Sequence, residues 1–456
     1  MDLVKSFVNT LEIIPSEDWC RSWPADRTIM LRMTSKRVKD AIDKIKPPIT
    51  ISFNKSFWNN YNNDNNDNYI AKKQELMIMY LSEISTMNII VSLKICNIEL
   101  FYDPQDDANA NANANINANA NANANVNTIG MCSPGIIILT TAINIESSLT
   151  KLNLNNCKIG LRGVIQFSLF VNNCKKLTHL NICKNNIGPT GIKSLAKALE
   201  NCLLLSHIDL SWNHIGPYGA NSLAKVLALL KIKHLNLSGN RICNTGSDKL
   251  AKTLSNYPVL QYLDFSWNHI GSDGAFSIAE LLTLVKLKHL NLGGNRINNR
   301  GIDKIAIALI NYPVIEHLNL NDNKMELNDV YSLAKLLNKC SSLKHIDLCS
   351  NQLNDIGIEK LASVLGHCTS LIHLNLSGNI ISNTGANKLS ITLSKSTSLM
   401  YLDLSFNKIG TEGAESLARM LLHCLTLSHL DIRYNMLGNK GKEYFNKVQC
   451  SVYFDK

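Results

Sequence analysis

Residues 260–270 read LQYLDFSWNHI and residues 287–297 read LKHLNLGGNRI, two versions of one pattern, L-x-x-L-x-L-x-x-N-x-I. The leading apolar residue of this pattern falls at Leu149, Leu177, Leu205, Ile232, Leu260, Leu287, Ile315, Leu343, Leu371, Leu399 and Leu427, so every step is 27 or 28 residues. Within a unit, the L-x-L core alternates with period two and predicts a short strand. The other half of the unit, as in Gly191, Leu195, Ala196 and Leu199, has the spacing of a helix with one apolar face. One strand and one helix of this size cannot bury their apolar faces alone. Successive units must therefore stack, with the strands forming a parallel sheet and the helices a second layer. The expectation is an α/β solenoid of about 12 repeats of 27–28 residues, curved into a horseshoe with the sheet on its concave side and the bulkier helices on its convex side.

Two further columns belong to the architecture. Asn recurs nine residues into the pattern, from Asn185 to Asn435, with Cys157 in its place in the first full unit. A turn enclosed between coils needs a side chain that both donates and accepts, because its backbone groups are out of reach of water. Cys174, Cys202, Cys340, Cys368 and Cys424 each stand three residues before a leading Leu, where Tyr257, Tyr312 and Ser396 substitute in other units. Packing explains such a column better than metal or catalysis. The thirteen cysteines include no CxxC pair and follow the repeat rather than a bridge framework.

A further unit is hidden upstream. IVSLKICNIEL, starting at Ile90, matches the strand pattern with Ile98 in the Asn place, and its helical half reappears between Gly135 and Leu149. The step from Ile90 to Leu149 is 59 residues, which is 28 plus an insertion of 31. That insertion holds an Asn-Ala tract, about 101–131, which is expected to be a disordered loop within the first repeat. The chain thus divides into a small helical N-terminal region at 1–88, with an Asn/Asp-rich loop at 59–68, a repeat domain at 89–450, and a C-terminal tail at 451–456. Residues 71–87, AKKQELMIMYLSEISTM, have amphipathic helical spacing suited to covering the open end of the repeats.

The unit of about 28 residues with its G-x-x-x-L-A helix resembles the ribonuclease-inhibitor-like class of leucine-rich repeats, shared by ribonuclease inhibitors, NOD-like receptors and Ran GTPase-activating proteins. The resemblance covers about residues 90–450 and implies a right-handed horseshoe that binds protein partners on its concave face. It says little about activity, since the same array serves unrelated partners. No G-x-x-x-x-G-K-[ST] loop precedes the repeats, and no acidic tail like that of the Ran-activating proteins follows them. Residues 11–45, LEIIPSEDWCRSWPADRTIMLRMTSKRVKDAIDKI, are similar to an F-box, with Pro15, Glu17, Pro24, Asp26, Leu31, Ser35, Lys36 and Arg37 in matching places. The six residues between Glu17 and Pro24 shorten its first helix. That resemblance implies a Skp1-like adaptor bound through residues 9–46. The bare reading of the same region is a cap on the first coil, and the two are compatible.

In L-x-x-L-x-L-x-x-N the leucines point inward, so the residues between them and beside the Asn form the face that can bind. His fills the position before the second leucine in eight units, at His179, His207, His234, His289, His317, His345, His373 and His429, with Tyr262 and Tyr401 between them. A straight ladder of parallel side chains does not converge on a metal, so this column reads as a consensus position, with a pH-sensitive surface as the alternative. The next column alternates Asn and Asp and includes Asp209 and Asp264. Beside the Asn lie Trp212, Trp267, Phe406 and Tyr434, interleaved with Gly239, Gly294 and Gly378. Trp212 and Trp267, His214 and His269, and Arg241 and Arg296 are each 55 residues apart, as though two units were copied together. Exposed Trp and Arg are the usual anchors of protein interfaces. The competing reading is that the rings pack on the neighbouring coil beside the glycines. The candidate protein-binding residues are Asp209, Trp212, His214, Arg241, Asp264, Trp267, His269, Arg296, Phe406 and Tyr434, with Pro15, Glu17, Pro24, Asp26 and Leu31 for the adaptor.

Charge narrows the function only in part. Residues 149–456 carry 33 Lys and Arg against 20 Asp and Glu, whereas residues 1–148 carry 13 against 16. Much of the excess, such as Lys193, Lys197 and Lys225, falls in helical segments on the outer side, so nucleic acid is not the expected partner. No run reaches the length of a membrane span, and no secretory leader opens the chain, so the expected location is the cytoplasm or nucleus, with reduced thiols. No GxSxG, HExxH or GxGxxG motif is present, and the acidic residues recur with the repeat instead of forming one cluster of unequal groups. The sequence therefore points to a non-catalytic interaction scaffold without cofactor or metal. A ubiquitin-ligase substrate receptor of the F-box type is the alternative, and a small-GTPase regulator a further one.

Overall fold

In the computed structural model the described residues are 49–53, 90–95 and 149–454, apart from 257, 326, 367 and 449. Residues 9–46, including the five adaptor candidates Pro15 to Leu31, lie outside them, as do the Asn/Asp-rich stretch 59–68, the amphipathic stretch 71–87 and the Asn-Ala tract. The chain forms two compact units, one of residues 1–214 with 229–231 and one of residues 215–228 with 232–456.

In the first unit five parallel strands follow one another: β1 (Ile49–Phe53), β2 (Ile90–Ile95), β3 (Lys151–Asn153), β4 (His179–Asn181) and β5 (His207–Asp209). Leu93 of β2 stands opposite Leu152 of β3, the register expected if the hidden unit at Ile90 is a true repeat. β1 lies where only helices were expected. Its sequence, ITISF, is β-branched and apolar at alternate positions, but it lacks the Asn and the helical half that mark the other units.

The second unit continues the scheme with β6 (His234–Asn236), β7 (Tyr262–Asp264), β8 (His289–Asn291), β9 (His317–Asn319), β10 (His345–Asp347), β11 (His373–Asn375), β12 (Tyr401–Asp403), β13 (His429–Asp431) and β14 (Ser451–Tyr453). All pair in parallel and in sequence order. A helix of 11–13 residues separates consecutive strands from β6 to β13, as at Ser272–Leu284 between β7 and β8. β14 corrects the expectation of a tail beyond residue 450. Its three residues cover the edge of β13, which would otherwise expose an unpaired row of backbone groups.

The pattern of the unit explains its packing. In the coil from Leu260 the side chains of Leu260, Leu263, Phe265, Ile270, Ala275 and Ile278 are all wholly buried, strand and helix contributing to one core. Each aliphatic side chain withdrawn in this way contributes about 1.5–3 kcal/mol. The helices approach closely because the first turn carries Gly: a Cβ at Gly301 would sit 3.0 Å from the Cβ of Ala275 and 2.5 Å from Ile297.

Between the strands and the helices runs the Asn column. Asn268 is wholly buried, and its Oδ1 accepts from the backbone N–H of Asn240 and Ile242 in the preceding coil, at 3.0 and 3.2 Å. Its Nδ2 donates to the carbonyl of Leu237 across the coils, at 2.8 Å, and to those of Phe265 and Ser266 within its own, at 3.1 and 2.9 Å. Asn323, Asn351 and Asn379 repeat the arrangement. A carboxylate in this place would turn two donors into an acceptor facing three carbonyls. We therefore expect Asn268→Asp to lower stability in urea unfolding by about 3 kcal/mol or more, and Asn435→Asp, at the partly exposed end of the column, by about 1 kcal/mol or less. Equal losses at both positions would refute the account of the buried amide.

Candidate functional site

The open face of the sheet is built in rows, because every coil presents the same positions in the same register. In each strand from β3 to β13 the middle Leu or Ile points into the core while its two neighbours point outward. The outward Asp and Asn are largely engaged by the chain itself. Oδ1 of Asp264 accepts from the N–H and hydroxyl of Ser266, at 2.9 and 2.6 Å, and Oδ2 accepts from Nδ2 of Asn291, at 3.0 Å. Asp264 is accordingly 7% exposed. Asp209 in the first unit holds Ser211 in the same way, at 3.0 and 2.6 Å.

The row just before the Asn column is more open. Trp212, Trp267, Phe406 and Tyr434 all have φ between 54 and 57°, the left-handed region that Gly239, Gly294 and Gly378 occupy at the same position in other coils. Bulky residues seldom adopt this conformation, which costs about 1 kcal/mol or more, so their presence in place of glycine needs a reason. The two sequence readings, interface and packing, meet at Trp267. A Cβ on Gly294 would lie 2.3 Å from the indole, so the ring rests flat on the glycine of the next coil, yet the residue stays 48% exposed. One face packs and the other is open. Phe406 and Tyr434 stack on each other with centroids 4.0 Å apart, and both remain exposed. Trp212, in the first unit, is 47% exposed.

The row just after the Asn column carries Arg241, His269 and Arg296, all exposed. The structure thus brings Arg241, Asp264, Trp267, His269 and Arg296 together on consecutive coils of the second unit. Asp209, Trp212 and His214 share one coil of the first unit, and Phe406 and Tyr434 form a separate pair farther along the second.

The His column, a consensus position in the sequence, takes a definite physical form. In the second unit the rings of His234, Tyr262, His289, His317, His345, His373, Tyr401 and His429 make a continuous stack, with neighbouring centroids 3.8 to 5.8 Å apart. His179 and His207 stack at 4.1 Å in the first. The ring faces are turned toward one another, so what the stack offers outward is ring edges. Where Ser or Thr precedes the His, its hydroxyl lies within hydrogen-bond distance both of a carbonyl of the neighbouring coil and of the imidazole Nδ1, as at Ser428, 3.0 Å from Met400 O and 2.8 Å from His429 Nδ1. Burial, aided by the charge that His317, His234 and His345 would carry, pushes His289 down to about 4. His317 and His345 are lowered as well, again chiefly by burial. Beside the stack Lys344 and Lys288 both pair with Glu316, at 2.7 and 3.1 Å, and hold its carboxyl at about 2.

The cysteine column turns its thiols to the preceding coil: Sγ of Cys202 lies 3.3 Å from the carbonyl of Val171 and that of Cys368 3.4 Å from Leu337. Burial raises both to about 11, which keeps them protonated and unreactive. Among the described residues no group of three or more His, Cys, Asp or Glu is placed to hold a metal ion, and no helix is long and apolar enough to cross a membrane.

A family model described as "Leucine Rich repeat" matches nine segments: 147–168, 173–196, 201–224, 258–279, 283–306, 339–362, 367–390, 395–418 and 423–445. These are nine of the strand-and-helix units just described. The chain is a leucine-rich-repeat protein. No curated protein matches its sequence. Among solved structures it is similar to an internalin from Listeria monocytogenes, with 21% identity over 70% of this chain and 84% of that one and a TM-score of 0.44. It is also similar to the second actin-binding site of leiomodin-1, with 16% identity over 32% and 86% of the two chains and a TM-score of 0.29. At these values neither likeness informs the function of this leucine-rich-repeat protein, which has to be read from its own face.

The stack makes stability depend on pH. Unfolded histidines bind a proton near pH 6.5, whereas His289 in the folded chain does so only near 4, so the unfolded state takes up more protons as pH falls through that interval. The stabilisation is complete above pH 6.5 and is lost toward pH 4. Glu316 acts in a lower window, below its ordinary 4.5. We expect the melting temperature followed by circular dichroism to drop by roughly 3 °C or more between pH 7.5 and 5. His289→Tyr, which copies the residue found at 262 and 401, should reduce that drop. An unchanged pH dependence in the variant would show that the stack does not titrate as described.

Proposed function

We propose that this leucine-rich-repeat protein is a non-catalytic scaffold that captures a protein partner on the open face of its sheet. The observation that supports this is the aromatic row: Trp212, Trp267, Phe406 and Tyr434 occupy a left-handed position where glycine would be unstrained, and each keeps about half its surface exposed. Folding alone is served by glycine there, as Gly239, Gly294 and Gly378 demonstrate. An exposed ring with one face already immobilised loses little entropy on binding and offers about 2 kcal/mol or more as an anchor. Membership of the ribonuclease-inhibitor-like class rests on the 27- and 28-residue steps and the G-x-x-x-L-A helices. The protonated, buried thiols suit a reducing location in the cytoplasm or nucleus.

Chemistry on this face is disfavoured by its regularity. Catalysis uses convergent groups with distinct roles, and the rows offer the same group repeated at strand spacing. The second reading, a ubiquitin-ligase substrate receptor, draws its support from Pro15, Glu17, Pro24, Asp26 and Leu31 in the F-box-like stretch. It would use residues 9–46 for a Skp1-like adaptor and the same sheet face for the substrate. The GTPase-regulator reading has no support beyond the repeats themselves.

The double variant Trp212→Ala, Trp267→Ala is expected to fold with a melting temperature within a few degrees of the parent and to lose at least tenfold in the amount of partner recovered by quantitative affinity purification. Full recovery by a folded double variant would remove the aromatic row from the interface. Deletion of residues 1–88 decides between the two readings: selective loss of a Skp1-like protein and a cullin establishes the receptor, and an unchanged set of partners excludes it.

A further inference from the structure

At the start of helix Ser272–Leu284 the second unit has a concavity of about 430 Å³. Its walls include Ser272, Asp273 and Phe276 from the first turns of helix Ser272–Leu284, and Arg296 and Arg300 from the following coil. Arg296 is held in place by its own backbone, whose N–H donates to the carbonyl of Ile270 at 2.8 Å. Two residues earlier in the chain, Gly294 carries the indole of Trp267. The backbone of residues 294–296 thus links the glycine under the indole to the wall of the concavity.

Among the described residues Arg241, Arg296 and Arg300 are exposed and have no acidic group within ion-pair distance, as is true of Lys249, Lys286 and Lys304 nearby, whereas Lys252 pairs with Asp248 and Lys288 with Glu316. Asp273 shares the concavity and lies in the first turn of its helix, where a carboxylate is favoured by the helix dipole. It balances one of the two arginines by charge without tying up either guanidinium.

We propose that this concavity receives a short acidic segment of the protein partner, its carboxylates meeting Arg296 and Arg300 while a neighbouring apolar or aromatic side chain lies against Trp267. The inference rests on the scaffold reading above and assigns the chemistry of what is held. A planar guanidinium takes a carboxylate in two parallel hydrogen bonds, and two free forks beside an exposed ring match an acidic and apolar sequence. The volume suits one or two side chains. A nucleic-acid strand fits less well. Asp273 stands inside the concavity, and Asp322 follows Gly294 in the row that contains Trp267, so a continuous line of phosphates would meet carboxylates on either side of the arginines.

The test uses the full chain and a fluorescein-labelled peptide of six Glu flanking a central Phe, with its Gln counterpart and an oligouridylate of equal charge as comparisons, followed by fluorescence anisotropy. The Glu peptide is expected to bind at least tenfold more tightly than the Gln peptide. Arg296→Gln, Arg300→Gln should remove that difference, and Lys193→Gln, Lys197→Gln, on an outer helix of the first unit, should leave it intact. Binding of the Glu peptide that survives the arginine substitutions overturns the proposal, and so does an oligouridylate that binds more tightly than the peptide through the same two arginines. The outcomes also separate the proposal from the reading it rests on. Partner recovery lost in Trp212→Ala, Trp267→Ala but unchanged in Arg296→Gln, Arg300→Gln keeps the scaffold and rejects the acidic segment. Recovery that depends on the arginines and not on the tryptophans keeps the acidic segment and rejects the aromatic row.

Discussion

The side chain of one asparagine per coil sets the rest of the structure. From β3 to β13 each strand is only three residues long, too short to hold a sheet together by its own ladder, and the chain then leaves the strand into a turn that water does not reach. The amide of Asn268 satisfies five backbone groups there, three of them on the preceding coil. A group that bonds two coils at once fixes the offset between them as well as their separation. Backbone bonds on either side follow the same offset, as from Leu237 to Asp264 and from Gly239 to Ser266, both at 2.9 Å. With no slip allowed between coils, like positions fall into rows.

Rows turn a local residue choice into an extended physical object. A histidine alone on a strand is an exposed titratable group; eight consecutive rings at the same position become a stack in whose middle burial makes His289, His317 and His345 resist charging. Tyr262 and Tyr401 continue the stack without a charge to gain, which limits how far repulsion would travel along it. The same logic lets Glu316 bridge Lys288 and Lys344, which lie on the coils to either side. None of these features is encoded within a single repeat.

How much of this was legible in the sequence depended on whether a feature repeats. From Leu149 onward the Asn column, the helices between strands and the outward columns follow from counting in steps of 27 or 28, and the strand at Ile90 from the same apolar pattern, because the apolar period and the turn amide are local requirements met in nearly every one of these coils. Features that occur once were not legible. β1 and β14 lack the Asn and the paired leucines, and they join the sheet only because an open strand edge accepts any extended segment brought to it. The concavity went unseen because Arg300 belongs to the helical half of its unit, while only the strand half was read for a binding face. The spacing of Arg296 and Arg300, four residues apart across the strand-to-helix turn, was the available signal.

The aromatic row shows where folding and binding demands part. Glycine at the left-handed position costs nothing in strain and leaves room for the ring of the coil before it, as Gly294 does for Trp267. A row of glycines alone would leave the face smooth, and a row of tryptophans alone would leave no backbone for the indoles to rest on. Alternation resolves the conflict within the second unit: Gly239, Trp267 and Gly294 stand on consecutive coils, so the ring is held on one side and bare on the other. At Phe406 and Tyr434 the conflict is settled differently, the two rings supporting each other at 4.0 Å. Strain that the fold could avoid with glycine, and does avoid at three positions of the same row, is retained where an aromatic face is left turned to solvent.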